Sequence, residues 1–378
     1  MHPIELPQHT TETAINERAF PGAVVFCARD GDLKIHAAYG TTAYDDAISR
    51  EVKTNTIYDI ASLSKLFTMT AVLSVARELK IDITNCVSRF LPDFEYSNVQ
   101  NITIRQLLNH TAGLGIEVQT LHETPTESWL QQIVNAELRD VSGNSVKYSC
   151  TNYFVLARLI EIWTSQTLDK WIEKNIIAPL EMTHTTFRPL IEYSLEEIAP
   201  CEIDDITGEA WHGVAHDEAA RVWMREQGSA SGNSGLFSTA EDLAKFAQLW
   251  LDEGFANGRQ IVDARDVRRA FDDTVRAEHY AQGLGWHQNV SSWMSLRAPL
   301  GTSGHAGFTG PTLWLTPSHF ASSHGASSTR TSSTRCVCIV LNNRVYPSRE
   351  GTPRFKFHRR VAEWLLYDGE RSKSVEGV

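Results

Sequence analysis

Residues 60–67 read IASLSKLF and place Ser62 and Lys65 three positions apart at the start of a long apolar run. Between residues 62 and 80, Leu63, Leu66, Phe67, Met69, Ala71, Val72, Leu73, Val75, Ala76 and Leu79 fall on nearly every side of a helical projection. That spacing predicts a buried helix. Residues three apart share a helical face at about 5–6 Å, which brings the Lys65 amine beside the Ser62 hydroxyl. A serine hydroxyl is a weak nucleophile until a base takes its proton, and a lysine desolvated by burial is expected to have the depressed pKa that suits this task. The positive end of the helix adds an N–H where an acyl oxygen turns anionic. A Ser-x-x-Lys alone is expected roughly once by chance in a chain of this length, so the rest of the sequence decides its weight.

Two further segments bear on it. Residues 147–161, KYSCTNYFVLARLIE, set Tyr148 ahead of a second apolar helix whose cap is expected at Thr151 or Asn152. Residues 301–310, GTSGHAGFTG, lead into the strand-like PTLWLTP. With these three segments the chain resembles the serine β-lactamase and penicillin-binding-protein superfamily, most closely its class C-like esterase and transesterase branch. That superfamily carries an S-x-x-K, a Y-x-N before a helix, and a K-T-G or H-x-G on an edge strand. The matching positions are Ser62 with Lys65, Tyr148 with Cys150, and His305 with Gly307. The resemblance continues through NITIRQLLNHTAGL (101–114), GVAHDEAARV (213–222) and GLFSTAEDLAKFAQLWL (235–251), and runs from about residue 21 to about residue 364.

The fold this resemblance implies is α/β (α+β): an antiparallel sheet flanked by helices, built from both chain ends, with a mainly helical region inserted. Residues 1–378 would form one unit, with the sheet region near 15–60 and 280–378 and the helical region near 61–279. Strands are expected near 23–29, 33–39, 312–316 and 336–342, the first two joined by a turn at Asp30-Gly31. Residues 354–367 read as a helix covering the sheet. Residues 318–335, SHFASSHGASSTRTSSTR, are low in complexity and poor in core-forming residues, and a disordered surface insertion is expected there.

Composition fits a globular enzyme, with 42% apolar and 21% charged residues and no run near the roughly 18 apolar residues of a membrane span. The net charge of −11 argues against nucleic acid or an anionic membrane as partner. The first residues lack the basic and apolar regions of a secretory signal, and the six cysteines are scattered; a cytoplasmic, reduced protein is expected. Cys336 and Cys338 alternate along a strand and should be buried fillers on one face. His212 and His216 have the spacing of a helical metal pair, but no third ligand accompanies them. No metal and no cofactor are expected, and the ten tryptophans are read as core.

The resemblance further implies an acyl-enzyme on Ser62, with Lys65 and Tyr148 sharing the base role. The oxyanion would lie between the N–H groups of Ser62 and Phe308, and Gly307 would let substrate lie along the strand. His305 stands where lactamases carry Lys and, largely neutral at pH 7, would bind a substrate carboxylate less firmly. Cys150 replaces the motif Asn and removes an amide from the cleft. The expected function is hydrolysis of a carboxylic ester or thioester. The alternatives are transfer of the acyl group to a small-molecule alcohol, a lactamase or peptidase, and a catalytically impaired binding protein.

Overall fold

The computed structural model describes residues 7–375 except 96, 141, 142, 144, 297, 317–333 and 351–354. Both chain ends contribute to an eight-stranded antiparallel sheet. Strands β1 (Gly22–Arg29) and β2 (Asp32–Gly40) form a hairpin whose turn, Asp30-Gly31, takes φ of 51° and 87°. Both angles are left-handed, as the favoured two-residue hairpin turn requires. Two short pairs follow, β3 (Tyr58–Asp59) with β4 (Phe237–Ser238), and β5 (Phe255–Ala256) with β6 (Arg259–Gln260). The remaining strands are β7 (Val275–Arg276), β8 (Ala281–Gln282), β9 (His287–Gln288), β10 (Ser303–Ala306), β11 (Thr312–Leu315) and β12 (Cys336–Asn342). The sheet order is β2-β1-β12-β11-β10-β9-β8-β7. The sheet thus begins its second half at Val275, ahead of the boundary expected near 280. The expected insertion at 318–335 lies outside the described residues apart from Thr334 and Arg335.

The helices that matter here are α1 (Pro7–Asn16), α2 (Ser64–Glu78), α3 (Ile104–Leu108), α4 (Cys150–Thr164), α5 (Glu218–Gln227), α6 (Ala240–Leu251) and α7 (Phe355–Val375). The central strands are buried on both faces, and their side chains alternate between two cores. Ala23, Val25, Cys27, Trp314, Cys336, Cys338 and Val340 pack with Ala14 of α1 and with Phe357, Val361 and Leu365 of α7. Val24, Leu313, Leu315, Val337, Ile339 and Leu341 face the larger core, which holds α2, α4 and α6. Cys336 and Cys338 therefore share a buried face, and Cys27 Sγ lies 3.6 Å from Cys338 Sγ. All six cysteines are free. No helix among the described residues is long and apolar enough to cross a membrane.

Local chemistry moves two helix starts. Residues 61–63 form a single 3-10 turn, and α2 begins only at Ser64. The second helix is capped by Ser149, whose Oγ accepts from the Thr151 N–H at 3.2 Å, rather than by Thr151 or Asn152. The Thr151 hydroxyl is used otherwise, donating to Ile116 O at 2.6 Å and accepting from Val118 N–H at 2.8 Å, while Asn152 faces His110.

Candidate active site

The turn before α2 leaves Ser62 partly exposed between buried Ala61 and Leu63, and the first turn of the helix carries Lys65 fully inside. Lys65 Nζ donates to Asn233 O at 2.8 Å, to Ser62 Oγ at 3.0 Å and to Cys150 Sγ at 3.3 Å. An amine surrounded by acceptors in this way is the arrangement of a charged lysine. Burial pushes the Lys65 pKa down, but the attraction of Cys150 and Tyr148 outweighs it, so Lys65 stands above the ordinary lysine range. The depressed pKa expected from burial alone is therefore corrected: desolvation is present, and the partners overcome it.

Tyr148 precedes α4 and sits against the same group. Its ring stacks on His110 at 4.5 Å between centroids, and Lys65 Nζ lies 5.1 Å from the ring centre. Its hydroxyl interacts with both Lys65 and Ser62; burial nevertheless raises its pKa, since desolvation exceeds those favourable contacts. The ring also meets His305 at 6.0 Å and His287 at 5.8 Å, and those two imidazoles stack on each other at 4.4 Å. Burial lowers all three histidines, with the Lys65 charge adding to the effect, and His287 falls to about 4. Beside the Lys65 ammonium, the three imidazoles around Tyr148 are therefore uncharged at neutral pH.

The start of α4 is fixed by Glu117, whose Oε2 accepts from Cys150 N–H at 3.1 Å and from Ser149 Oγ at 3.2 Å. A carboxylate at a helix N-terminus satisfies orphan donors and matches the helix dipole. Arg139 holds the other oxygen of Glu117 at 2.7 Å. Burial raises the Cys150 thiol, the nearby Lys65 charge opposing it.

Ser62, Tyr148, Cys150, His305, Gly307 and Phe308 all line one cavity of about 500 Å³, with Lys65 beneath it. Their placement refines three expectations. β10 is not an edge strand throughout: Ser303 and Gly304 pair with β9 on one side and β11 on the other, and only His305 and Ala306 have an open side. His305 is 1% exposed, its Nδ1 lies 3.0 Å from Ala306 O, and its Nε2 is buried without a partner. It is a wall packed behind Tyr148 and presents no ring nitrogen to a substrate carboxylate. Gly307 answers to close packing: a Cβ there would stand 2.6 Å from Ile60 O and 3.4 Å from the Ala61 Cβ. It lets the end of β10 lie against the turn that carries Ser62. Phe308 is 38% exposed, with its ring stacked on His216 at 5.6 Å and its carbonyl accepting from Arg344 Nε at 2.9 Å.

Other cavity residues had weaker sequence signals or none. Asp217 caps α5 through Ala220 N–H at 2.9 Å and accepts from Gln119 Nε2 at 2.9 Å. Its Asp-Glu-Ala-Ala context marks a helix start, and only the family resemblance implies that residues 216–219 line the cleft, where His216, Asp217 and Glu218 are found. Arg349 reaches the wall from the segment after β12 and is paired with Glu202 and Glu218 at 2.6 and 2.9 Å. His212 and His216 bond separately, to Ile198 O at 2.7 Å and to Glu202 at 2.9 Å.

The family model named Beta-lactamase matches residues 8–363. An Escherichia coli (strain K12) protein provisionally named a D-alanyl-D-alanine carboxypeptidase shares 28% identity over 336 residues, 79% of this chain and 76% of that protein. Among solved structures, EstCE1, titled a hydrolase with promiscuous acyltransferase activity, superposes with a TM-score of 0.72 at 19% identity, covering 95% of this chain and 97% of that one. A variant of simvastatin synthase LovD from Aspergillus terreus gives 0.69 at 19% identity, with 97% of each chain covered. These structural matches carry the sheet-and-helix arrangement just described. With the family model spanning nearly its whole length, the chain belongs to the β-lactamase family.

Proposed function

We propose that the protein is a serine hydrolase that cleaves a carboxylic ester or thioester through an acyl-enzyme on Ser62. The observation that carries this reading is the 3.0 Å contact of Lys65 Nζ with Ser62 Oγ on the floor of the cavity, beside the Tyr148 hydroxyl. Ser62 Oγ attacks the carbonyl carbon as its proton passes to the Lys65–Tyr148 pair, once that pair has given up a proton to solvent. The N–H groups of Ser62 and Phe308 receive the oxyanion. The leaving alcohol or thiol departs with a proton from Tyr148, and water, deprotonated by the same pair, releases the acid.

Charge at the wall supports an ester over a β-lactam or a peptide with a free carboxylate. Among the described residues, Arg349 is the one Lys or Arg lining the cavity, and two carboxylates already neutralise it. His287 and His305 are neutral, and Asp217 adds negative charge. The volume of about 500 Å³ also favours a second reading, in which a bound small-molecule alcohol replaces water; EstCE1 is titled for such acyl transfer. The six free cysteines support a reducing, cytoplasmic setting. A small-molecule substrate, without nucleic acid, membrane or cofactor, completes the proposal.

The test is intact-mass spectrometry after brief exposure to a short p-nitrophenyl ester, with Ser62→Ala alongside. An acyl-sized gain in the wild type and none in the variant is expected. Absence of labelling and of nitrophenol release in both, across acyl lengths and thioesters, overturns the reading and leaves a non-catalytic role.

A further inference from the structure

Asp59 closes β3 and is 2% exposed. Its Oδ1 accepts from the Ala61 N–H at 2.8 Å, and its Oδ2 accepts from the His216 N–H at 2.8 Å. Its own carbonyl accepts from Thr309 Oγ1 at 2.7 Å. These three partners belong to three of the segments that surround the cavity at Ser62. Ala61 immediately precedes the nucleophile. His216 lies on the cavity wall and stacks on Phe308 at 5.6 Å. Thr309 follows Phe308 in the loop between β10 and β11.

The link to Ala61 is the informative one. Ala61 holds φ of 46°, in the left-handed region that a residue with a Cβ enters only at a cost. An aspartate that accepts from the N–H two residues on forms an Asx turn, which here holds Ala61 in the conformation that presents the Ser62 side chain. A carboxylate so placed is itself expensive to bury: desolvation raises its pKa, and the two N–H donors recover only part of that. No ion pair to Asp59 offsets the cost among the described residues. Two separate strains, one in the backbone and one in solvation, therefore coincide at the turn bearing the nucleophile.

We propose that Asp59 is a positioning residue for acylation, holding Ala61 left-handed so that Ser62 faces Lys65, and tying that turn to the His216 wall and the Phe308–Thr309 loop. This rests on Ser62 being the nucleophile. Asp59 touches no reacting atom, and its effect passes through Ala61 and the loop.

The test measures the rate of Ser62 acylation by a p-nitrophenyl ester, by intact mass, in the wild type, Asp59→Ala, Asp59→Ser and Asp59→Ala/Ala61→Gly, with circular dichroism to verify folding. Wild-type labelling comes first, so that failure of the hydrolase reading is seen separately. Asp59→Ala should acylate about 100-fold more slowly, as expected for a misplaced reacting group. Asp59→Ser keeps a side-chain oxygen that can form the equivalent, weaker turn and should retain about tenfold more rate than Asp59→Ala. The double variant should also recover about tenfold, because glycine holds a left-handed turn without a clamp. A purely structural aspartate would gain nothing from a more flexible neighbour. Acylation of Asp59→Ala at the wild-type rate, or equal loss in all three variants, overturns the proposal. If Asp59→Ala does not fold, Asp59→Ser against Asp59→Ser/Ala61→Gly is read the same way.

Discussion

Lys65 Nζ stands 3.3 Å from Cys150 Sγ, so the residue that takes the place of the family's motif asparagine is a direct partner of the proposed base. Cys150 is one of the groups holding the Lys65 ammonium above its ordinary range, against the downward push of burial.

Removing that partner should move the pH dependence of acylation. The base form of the pair appears as pH rises, so the rate climbs through the pKa of the pair. In Cys150→Ala burial still pushes the Lys65 pKa down while one upward influence is gone, and the rising limb should shift to lower pH. Single-turnover rates across pH measure this. An unmoved limb would mean that Lys65 does not titrate in the step.

Tyr148→Phe separates the hydroxyl from the ring. The ring stack on His110 at 4.5 Å is kept, and the contacts of the hydroxyl with Lys65 and Ser62 are lost. Positioned proton transfer contributes about 10²–10⁴-fold, so kcat should fall by that order while the melting temperature changes little. Activity within about threefold of wild type would assign the proton transfers to Lys65 without Tyr148.

How legible all this is in the sequence depends on how local the contacts are. Ser62 and Lys65 are read from a three-residue spacing on one helix, and the β1–β2 hairpin from Asp30-Gly31 between alternating apolar residues. The acceptor that completes the Lys65 shell, the Asn233 carbonyl, comes from 168 positions away and is a backbone atom, invisible to any side-chain pattern. His287 reaches Tyr148 only because β9 pairs with β10. The rise in the Lys65 pKa is not legible for the same reason: burial is foreseeable from an apolar run, whereas the sum of partners at one nitrogen is a property of the assembled fold. Ser149 displaces Thr151 as cap because Thr151 is engaged by residues 116 and 118, far along the chain.

Gly307→Ala tests the close approach of β10 to the turn that carries Ser62. The new Cβ would meet Ile60 O at 2.6 Å, and both atoms belong to main-chain segments that cannot swing aside. Overpacking of this kind costs about 1–3 kcal/mol, so the urea midpoint should fall, and acylation should fall with it as the Ser62 turn is displaced. A variant that loses neither would show that the loop relaxes freely and that glycine is dispensable there.

Acid should unfold the protein through its buried histidines before its carboxylates matter. His358, in α7, is 3% exposed, its Nε2 lies 3.1 Å from Asn342 Nδ2, and burial lowers its pKa to about 3. His287 is lowered to about 4, and His110 and His305 lie well below the usual value. An unfolded histidine takes its proton near pH 6.5. Below that pH the unfolded chain binds protons that the native state refuses, so stability is full above about pH 6.5 and declines as pH falls toward the native pKa. The slope is about 1.4 kcal/mol per pH unit for each such histidine. His358→Gln preserves an acceptor for Asn342 and lies outside the cavity. It should leave turnover near neutral pH unchanged and remove one histidine's share of the slope between pH 6 and 4, read from urea midpoints at stepped pH. A slope equal to that of the wild type would mean that His358 takes up its proton in the native state as readily as in the unfolded chain.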